Sequence, residues 1–298
     1  QAVLNHEKPD RLPMMEWAAW WRLTRARWNG EGLDPALNQQ ELYDYFGLDK
    51  HVQISLKHST AACPRPAVHS SGIMKNEKDY DALFPLLYPD DAVSSEADKL
   101  KSYAKQQEKG ELAVWLTLSG YFWFPRTLFG VEDHLYSFYD YPELYHRINT
   151  DLVNFQIKLI GELCTYVTPD FMTFAEDMSY NLGPMLSKEH FDEFIAPYYR
   201  KIFPVLKSHG IKIIIDTDGD VTALIPWLLD AGADGILPLE RQAGVDINQI
   251  KKDYPGLLQI GAFDKTIMHK GEAAMRQEFE RILPAMKMGG YIPAVDHQ

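Results

Sequence analysis

The sequence predicts an α/β fold, a (β/α)8 barrel of the TIM type, from its alternating pattern and its length. After residue 171, short apolar runs alternate with segments of helical periodicity, at the spacing of βα units. Parallel strands need such helical crossovers. No G-x-G-x-x-G motif follows a strand, which argues against a dinucleotide-binding fold. The length of 298 residues suits one barrel, so we predict a single domain over residues 1–298.

The pattern predicts eight strands, and their ranges are 12–17, 52–56, 113–118, 171–176, 211–215, 235–239, 257–260 and 291–295. The run 211–215 is β-branched, which is typical of a strand buried on both faces. Helices are predicted at 92–109, 141–166, 187–209, 221–231, 247–252 and 272–288. Residues 57–76 are irregular, and we expect them to form a loop over the barrel mouth.

Composition excludes several classes of function. The formal net charge of −12 disfavours nucleic-acid binding, which requires a basic face. Apolar runs are too short to span a bilayer, so no membrane association is expected. The chain has two cysteines, Cys63 and Cys164, which make neither a disulfide framework nor a thiolate metal cage. This cysteine usage predicts a cytoplasmic protein.

Carboxylates follow the predicted strands at their C-terminal ends, where the active sites of parallel barrels lie. These acids are Glu16, Glu176, Asp177, Asp216, Asp218, Asp220, Glu240, Asp264 and Asp296, and His297 follows the last of them. We predict that the catalytic residues are Glu176, Asp177, Asp218, Glu240, Asp264 and His297. Any single acid could instead cap the next helix, and this is the expected role of Asp220.

Converging carboxylates repel one another unless a proton, a cation or a basic side chain neutralises them. The sequence predicts a divalent, zinc-like metal ion, and its expected ligands are Asp216, Asp218, Glu240 and His297. A histidine nitrogen among oxygen ligands favours zinc over magnesium. The alternative is neutralisation by Arg241 or Lys265.

Aromatic residues follow the first and third predicted strands, where they could line a ligand pocket. The residues predicted to bind substrate are Glu16, Trp17, Trp20, Tyr121, Trp123, Arg126 and Tyr180. The alternative for the aromatic residues is a place in the core. Arg126 would either hold a ligand carboxylate or pair with a neighbouring acid.

Six stretches resemble the uroporphyrinogen decarboxylase superfamily, which includes the cobalamin-dependent methyltransferases. They are LNHEKPDRLP at 4–13, FGVE at 129–132, YPE at 141–143, GPMLS at 183–187, FIAPY at 194–198 and GGY at 289–291. The resemblance covers nearly the whole chain and implies a (β/α)8 barrel with its site at the mouth. It also implies that a final helix after the last strand is missing.

Two departures from the superfamily pattern bear on the reaction. Where the methyltransferases carry a His-x-Cys zinc motif, this chain has Asp216-Thr217-Asp218, and no cysteine follows residue 164. A thiolate zinc site of that type is therefore excluded. Where the decarboxylases carry a basic R-Q-A-G-R stretch, residues 16–22 read EWAAWWR. An acidic mouth would repel a porphyrinogen with many carboxylates.

The leading hypothesis from the resemblance is a methyltransferase-like enzyme. It would demethylate a small methoxylated or methylated compound, pass the methyl group to a corrinoid protein, and use the metal as a Lewis acid. The second hypothesis is a decarboxylase of a porphyrinogen or a smaller acid, gripped by Arg22, Arg126 or Lys265. The third is a non-catalytic barrel that binds a cationic ligand. Expected partners are a small-molecule substrate, a corrinoid protein and a second copy in a homodimer.

Overall fold

A curled parallel sheet of seven strands lies at the centre of the computed structural model, which describes residues 1–18, 20–68 and 70–296. Strands and helices are numbered in chain order. The strands hydrogen-bond in the order β1 His51–Ser55, β2 Ala113–Ser119, β3 Phe171–Ala175, β6 Lys212–Asp216, β7 Gly235–Leu239, β8 Leu258–Ala262 and β9 Tyr291–Ala294. A short antiparallel hairpin of β4 Ser179–Tyr180 and β5 Gly183–Pro184 follows β3.

Helices precede the first parallel strand and connect the strands that follow. They are α1 Arg22–Gly30, α2 Gln39–Phe46, α3 Glu77–Leu83, α4 Ala97–Glu108, α5 Trp123–Phe129, α6 Val131–Asp140, α7 Pro142–Leu163, α8 Lys188–His190, α9 Ala196–Ser208, α10 Ile225–Ala231, α11 Ile247–Asp253 and α12 Glu272–Met288. Asn38 and Asp246 cap α2 and α11 through their side chains, as short polar residues do at helix starts. Across the described ranges, no helix has the length and apolar character of a membrane span.

The sheet is buried on both faces, as the β-branched strand predicted. Alternate residues of the strands, among them Trp115, Phe171 and Ile214, form one apolar cluster on the concave face. Their neighbours, such as Met172 and Ile213, belong to the larger cluster under the helices. Because side chains alternate along a strand, a residue's position in its strand decides whether it points into the barrel interior or towards the helix layer.

The prediction of a closed eight-stranded barrel is wrong, although the α/β class and the parallel sheet are confirmed. Residues 12–17, the predicted first strand, carry no strand hydrogen-bond ladder, so the described sheet is a half-barrel that ends at β1 and β9. Side chains attach this segment instead. Asp49 accepts from Met14 N at 2.8 Å, and Trp17 Nε1 donates to the carbonyl of Val295 at 2.7 Å. Pro13 has no backbone N–H with which to extend a ladder.

Seven of the predicted strands are found within one or two residues of their expected bounds. The strand predicted at 211–215 is shifted by one residue to Lys212–Asp216, which places Asp216 inside the strand as its last residue. The helix predicted at 187–209 is divided into α8, a π turn over Phe191–Ile195, and α9. The predicted loop 57–76 is attached by isolated bridges, including Ser71 to Gly130.

Candidate active site

Asp216 points into the barrel interior at the C-terminal mouth. It is the last residue of β6 and shares a face of that strand with Ile214, which packs in the concave cluster. No hydrogen-bond donor among the described residues contacts its carboxylate. Burial raises the pKa of Asp216 well above its usual value, and the charges of Asp177 and Asp218 raise it further. The arrangement therefore favours a protonated carboxyl group at this position.

The loop after β6 is held by buried hydroxyl groups. Thr217 is fully buried, and its Oγ1 accepts from Met178 N at 2.9 Å and bonds to Ser179 Oγ at 2.9 Å. Gly219 has a φ of +81°, and a Cβ there would lie 2.4 Å from the backbone of Tyr180. A glycine is needed for this close approach. These contacts hold Asp218 beside the β4–β5 hairpin.

Glu240 joins the ends of β6 and β7. It follows the last residue of β7, and its Oε2 accepts from Gly219 N at 2.6 Å. One oxygen of this predicted catalytic residue is thus bonded to the loop that carries Asp218. The structure brings Asp177, Asp216, Asp218 and Glu240 to the same end of the sheet, as the strand-end pattern predicted.

Glu176 does not lie at the mouth, which corrects its predicted place in the catalytic set. It is fully buried, and its oxygens accept from the backbone N–H groups of Tyr121 and Phe122, both at 2.8 Å, and of Trp123 at 3.1 Å. The Tyr199 hydroxyl donates a fourth hydrogen bond. Burial raises the pKa of Glu176 to about 7, although the four hydrogen bonds lower it.

The direction of Glu176 follows from strand alternation. Met172 and Phe174 on β3 face the helix layer, and Glu176 continues this alternate series beyond the strand end. Gly120 leaves the space that the carboxylate occupies, since a Cβ there would lie 1.9 Å from Glu176 Cδ. Glu176 therefore fixes the start of α5 and contributes to the site only through that helix.

Asp264 caps a helical turn, and its predicted catalytic role stays a prediction. Its Oδ1 accepts from Thr266 N at 2.9 Å, as the cap of the 3-10 turn Lys265–Lys270, which is the alternative that the sequence left open. Asp296 is fully buried and pairs with Lys265, with Nζ 2.7 Å from Oδ1. It also accepts a hydrogen bond from Gln242. Lys265 is thus the basic neutraliser of Asp296.

Two residues predicted to bind substrate, Trp20 and Tyr121, lie away from the mouth. Trp20 packs edge-on against Trp28, 5.5 Å between centroids, in an aromatic cluster with α1 and α2. Glu16 lies near Tyr43 and raises the pKa of its phenol, after burial, the larger cause. Tyr121 is fully buried under the helices, where its hydroxyl donates to Gln156 at 2.9 Å. Peripheral packing explains the position of Trp20, and core packing explains that of Tyr121.

The other predicted substrate residues lie on the interior or at the rim. Trp17 packs against the concave cluster. Trp123 and Arg126 are partly exposed on α5, and the guanidinium carbon lies 4.9 Å from the indole centroid. Arg126 Nη1 lies 3.4 Å from the carbonyl oxygen of Asp177. Tyr180 is 49% exposed in the hairpin. The β4–β5 hairpin contacts the loop after β6, which carries Asp218.

The structure describes three of the four predicted metal ligands. Asp216, Asp218 and Glu240 lie at one end of the sheet, but within 1–18, 20–68 and 70–296 no three histidine, cysteine or carboxylate side chains form a metal-binding group. His297, predicted as both a ligand and a catalytic residue, lies outside the described residues. The described side chains alone do not make up the ligand set of a zinc ion.

Several residues that shape the site carry no signal in the sequence. Tyr199 lies 23 residues beyond Glu176 on α9, and no motif connects the two. Thr217 and Ser179 support the acidic loop as buried hydroxyls, although their residue types are ordinary loop residues. The one available signal was Gly219, because an Asp-Gly turn often marks a close backbone approach.

Comparisons with known proteins agree with this fold. A sequence model described as uroporphyrinogen decarboxylase (URO-D) matches residues 97–298, whereas no curated protein matches the chain. A methyltransferase from Methanosarcina mazei has a TM-score of 0.66 and 14% identity, covering 99% of this chain and 91% of its own. At this identity the likeness shows the fold alone.

A second solved structure, a chitobiase from Flavobacterium johnsoniae, covers 76% of this chain and 38% of its own at 11% identity, with a TM-score of 0.35. That TM-score is too low to support any inference about this chain. The family match extends over more than half of the sequence and contains β2 to β9 and the acidic mouth. The chain therefore belongs to the uroporphyrinogen decarboxylase family.

Proposed function

We propose that this chain is a methyltransferase-like enzyme that demethylates a small methoxylated or methylated compound and passes the methyl group to a corrinoid protein. Family membership supports an enzyme of this superfamily. The likeness in fold to a methyltransferase favours methyl transfer within it. The replacement of the superfamily's His-x-Cys motif by Asp216-Thr217-Asp218 calls for a different chemistry at the same place.

The observation that carries the proposal is the inward-pointing Asp216 carboxyl group with its raised pKa. When a methyl group leaves an ether oxygen, the C–O bond breaks and the electron pair stays on oxygen, which then needs a proton. A carboxyl group that stays protonated near neutral pH can donate it. Asp177 and Asp218 favour this protonated form by charge repulsion. Asp216 is therefore assigned as the proton donor.

A corrinoid, bound to its own protein, would supply the nucleophile for the methyl group. The residues described here orient the substrate at the mouth and hold the proton at Asp216. A metal ion at Asp216, Asp218, Glu240 and His297 stays a prediction, and it excludes the proton transfer assigned to Asp216, because a carboxylate that binds a metal ion is deprotonated. Elemental analysis of chelator-free protein and of an Asp216→Ala/Asp218→Ala variant measures it, and equal metal in both would contradict it.

The decarboxylation of uroporphyrinogen is disfavoured by the same geometry. Asp177, Asp218 and Glu240 lie at the mouth beside the protonated Asp216, and a substrate with many carboxylates would meet repulsion from them. Glu16, which the sequence suggested as part of this barrier, lies near Tyr43. The acidic loop after β6 lies at the mouth and supplies repulsion there.

The test is methyl transfer to free cob(I)alamin, followed by the absorbance of methylcobalamin, with a panel of methoxylated and methylthio compounds. We expect methylcobalamin to form with some members of the panel. Asp216→Asn should lower the rate by about 100-fold or more, since general acid catalysis contributes on that scale.

Asp220→Asn is the matched control, because Asp220 lies in the same loop and caps the following turn through Thr222 N at 3.0 Å. Asparagine caps equally well, so the rate should be unchanged. Absence of methylcobalamin with every compound, together with release of carbon dioxide from a carboxylic acid, would favour the decarboxylase instead.

A further inference from the structure

Arg126 and Trp123 share the accessible face of α5 at the rim of the mouth. They are three residues apart, which places them on one side of a helix, whereas Phe124, Leu128 and Phe129 of the same helix are buried. The guanidinium lies over the indole ring, 4.9 Å from its centroid. This stacking orients the guanidinium and leaves its edge, with its N–H groups, accessible.

Arg126 has no acid partner among the residues that the structure describes. Its one hydrogen bond runs from Nη1 to the Asp177 carbonyl at 3.4 Å, which is long for such a bond. A partly buried guanidinium without a counter-charge is costly in free energy. Its five N–H donors are arranged in a fork that matches a carboxylate. An unpaired fork of this kind at the rim of a mouth is suited to an anionic group of a ligand.

The other basic side chains considered for a ligand carboxylate are less suitable. Lys265 is already paired with the buried Asp296, 2.7 Å from Nζ to Oδ1. Arg22 is exposed in the first turn of α1, and an exposed arginine holds an anion weakly. Of these three candidates, Arg126 alone combines partial burial, a fixed orientation and proximity to Asp177.

The buried Glu176 positions this pair. Its Oε2 accepts from Trp123 N at 3.1 Å and from Phe122 N at 2.8 Å, so it fixes the first turn of α5. Beneath the helix, burial and then the charge of Arg126 lower the pKa of His134 to about 3. His134 therefore stays neutral and does not compete with Arg126 for an anion.

We propose that Arg126, stacked on Trp123, is the subsite for a single carboxylate on the substrate, and this rests on the proposed function. The acids at the mouth limit how many carboxylates the substrate can carry. Asp177 and Asp218 lie close enough to Asp216 to raise its pKa, and a second ligand carboxylate would meet the charges of these two acids. The substrate class is thus a small methoxylated or methylated monocarboxylate.

Binding of matched anionic and neutral probes tests this subsite. The pairs are methoxyacetate with methoxyacetamide, and 4-methoxybenzoate with 4-methoxybenzamide, measured by calorimetry or ligand-observed NMR. The wild-type protein should bind the acid of at least one pair about tenfold more tightly than its amide, as expected for a charge-assisted pair. Arg126→Met should remove this preference, and Arg126→Lys should restore only part of it.

Arg22→Met is the matched control and should keep the full preference. Thermal unfolding of each variant separates a lost subsite from a lost fold, and Arg126→Lys provides the second reading if Arg126→Met unfolds. Equal affinity for acid and amide in the wild type, no binding of any probe, or an undiminished preference in both Arg126 variants would overturn the subsite.

Failure of the subsite and failure of the proposed function give different results. If the carboxylates bind through Arg126 but no methylcobalamin forms, the subsite stands and methyl transfer is wrong. If methylcobalamin forms at equal rates from acid and amide in the wild type and in Arg126→Met, methyl transfer stands and the subsite is wrong.

Discussion

Glu176 and Asp216 lie at the ends of adjacent strands, yet their surroundings are opposite. The two strands pair with Ala175 opposite Asp216. Glu176 is directed into the helix layer, where three backbone N–H groups and the Tyr199 hydroxyl bond to it. Asp216 points into the barrel interior, where the charges of the carboxylates Asp177 and Asp218 raise its pKa, after burial. One carboxylate is surrounded by donors and the other by like charges.

The difference shows that the side chain of an acid at a strand end can point to either face of the sheet. A shift of one residue along the strand decides which face it takes. Side chains alternate between the two faces of a strand, so Asp216, two residues after Ile214, points inward. Glu176, two residues after Phe174, points outward. The first outcome gives a reactive group at the mouth, and the second gives a buried anchor for a helix.

The largest expected effect on stability comes from replacing Glu176, which holds the start of α5. Glu176→Gln replaces an acceptor oxygen by an NH2 group that faces N–H or O–H donors, and each unsatisfied buried donor costs about 1–3 kcal/mol. We expect the free energy of unfolding to fall by about 3 kcal/mol near pH 5, measured by urea denaturation. Asp264→Asn, the matched change at a partly exposed cap, should cost less than about 0.5 kcal/mol.

The loss in Glu176→Gln should depend on pH. Burial raises the folded-state pKa of Glu176 to about 7 from 4.5, so folding holds its proton more tightly than the unfolded chain does. The wild type therefore loses stability as the pH rises from about 4.5 through about 7, and the glutamine variant lacks this decline. The difference between the two should shrink over that range. A difference that grows with pH would mean that the four hydrogen bonds outweigh burial.

The sequence predicted the strands and their spacing well, because burial on both faces gives continuous apolar runs such as 211–215. It also predicted the assembly of Asp177, Asp216, Asp218 and Glu240 at one end of the sheet. Closure of the barrel could not be predicted from residues 12–17, because an apolar segment can pack on a sheet through side chains alone. Trp17 and Met15 do so here.

The sequence could not predict which way the side chains of the strand-end acids point, because a one-residue uncertainty in a strand end reverses the expected face. The distant partners of these acids were equally hidden. Tyr199 bonds to Glu176 across 23 residues, and Gln242 bonds to Asp296 across 54. Only the folded chain brings such pairs together. The aromatic run 121–124 was ambiguous for the same reason, because Tyr121 is core whereas Trp123 reaches the rim.

The most direct test of the claim that Asp216 points into the mouth is the unfolding free energy of Asp216→Asn at pH 7 in the presence of a chelator. Its pKa is raised in the folded state, so ionisation destabilises the wild type above the unfolded-state pKa, and the amide removes that cost. We expect the variant to be more stable than the wild type by about 1 kcal/mol, and equally stable near pH 3. A loss of about 3 kcal/mol, as expected for Glu176→Gln, would show that Asp216 is instead a hydrogen-bonded anchor and would contradict its assignment as the proton donor.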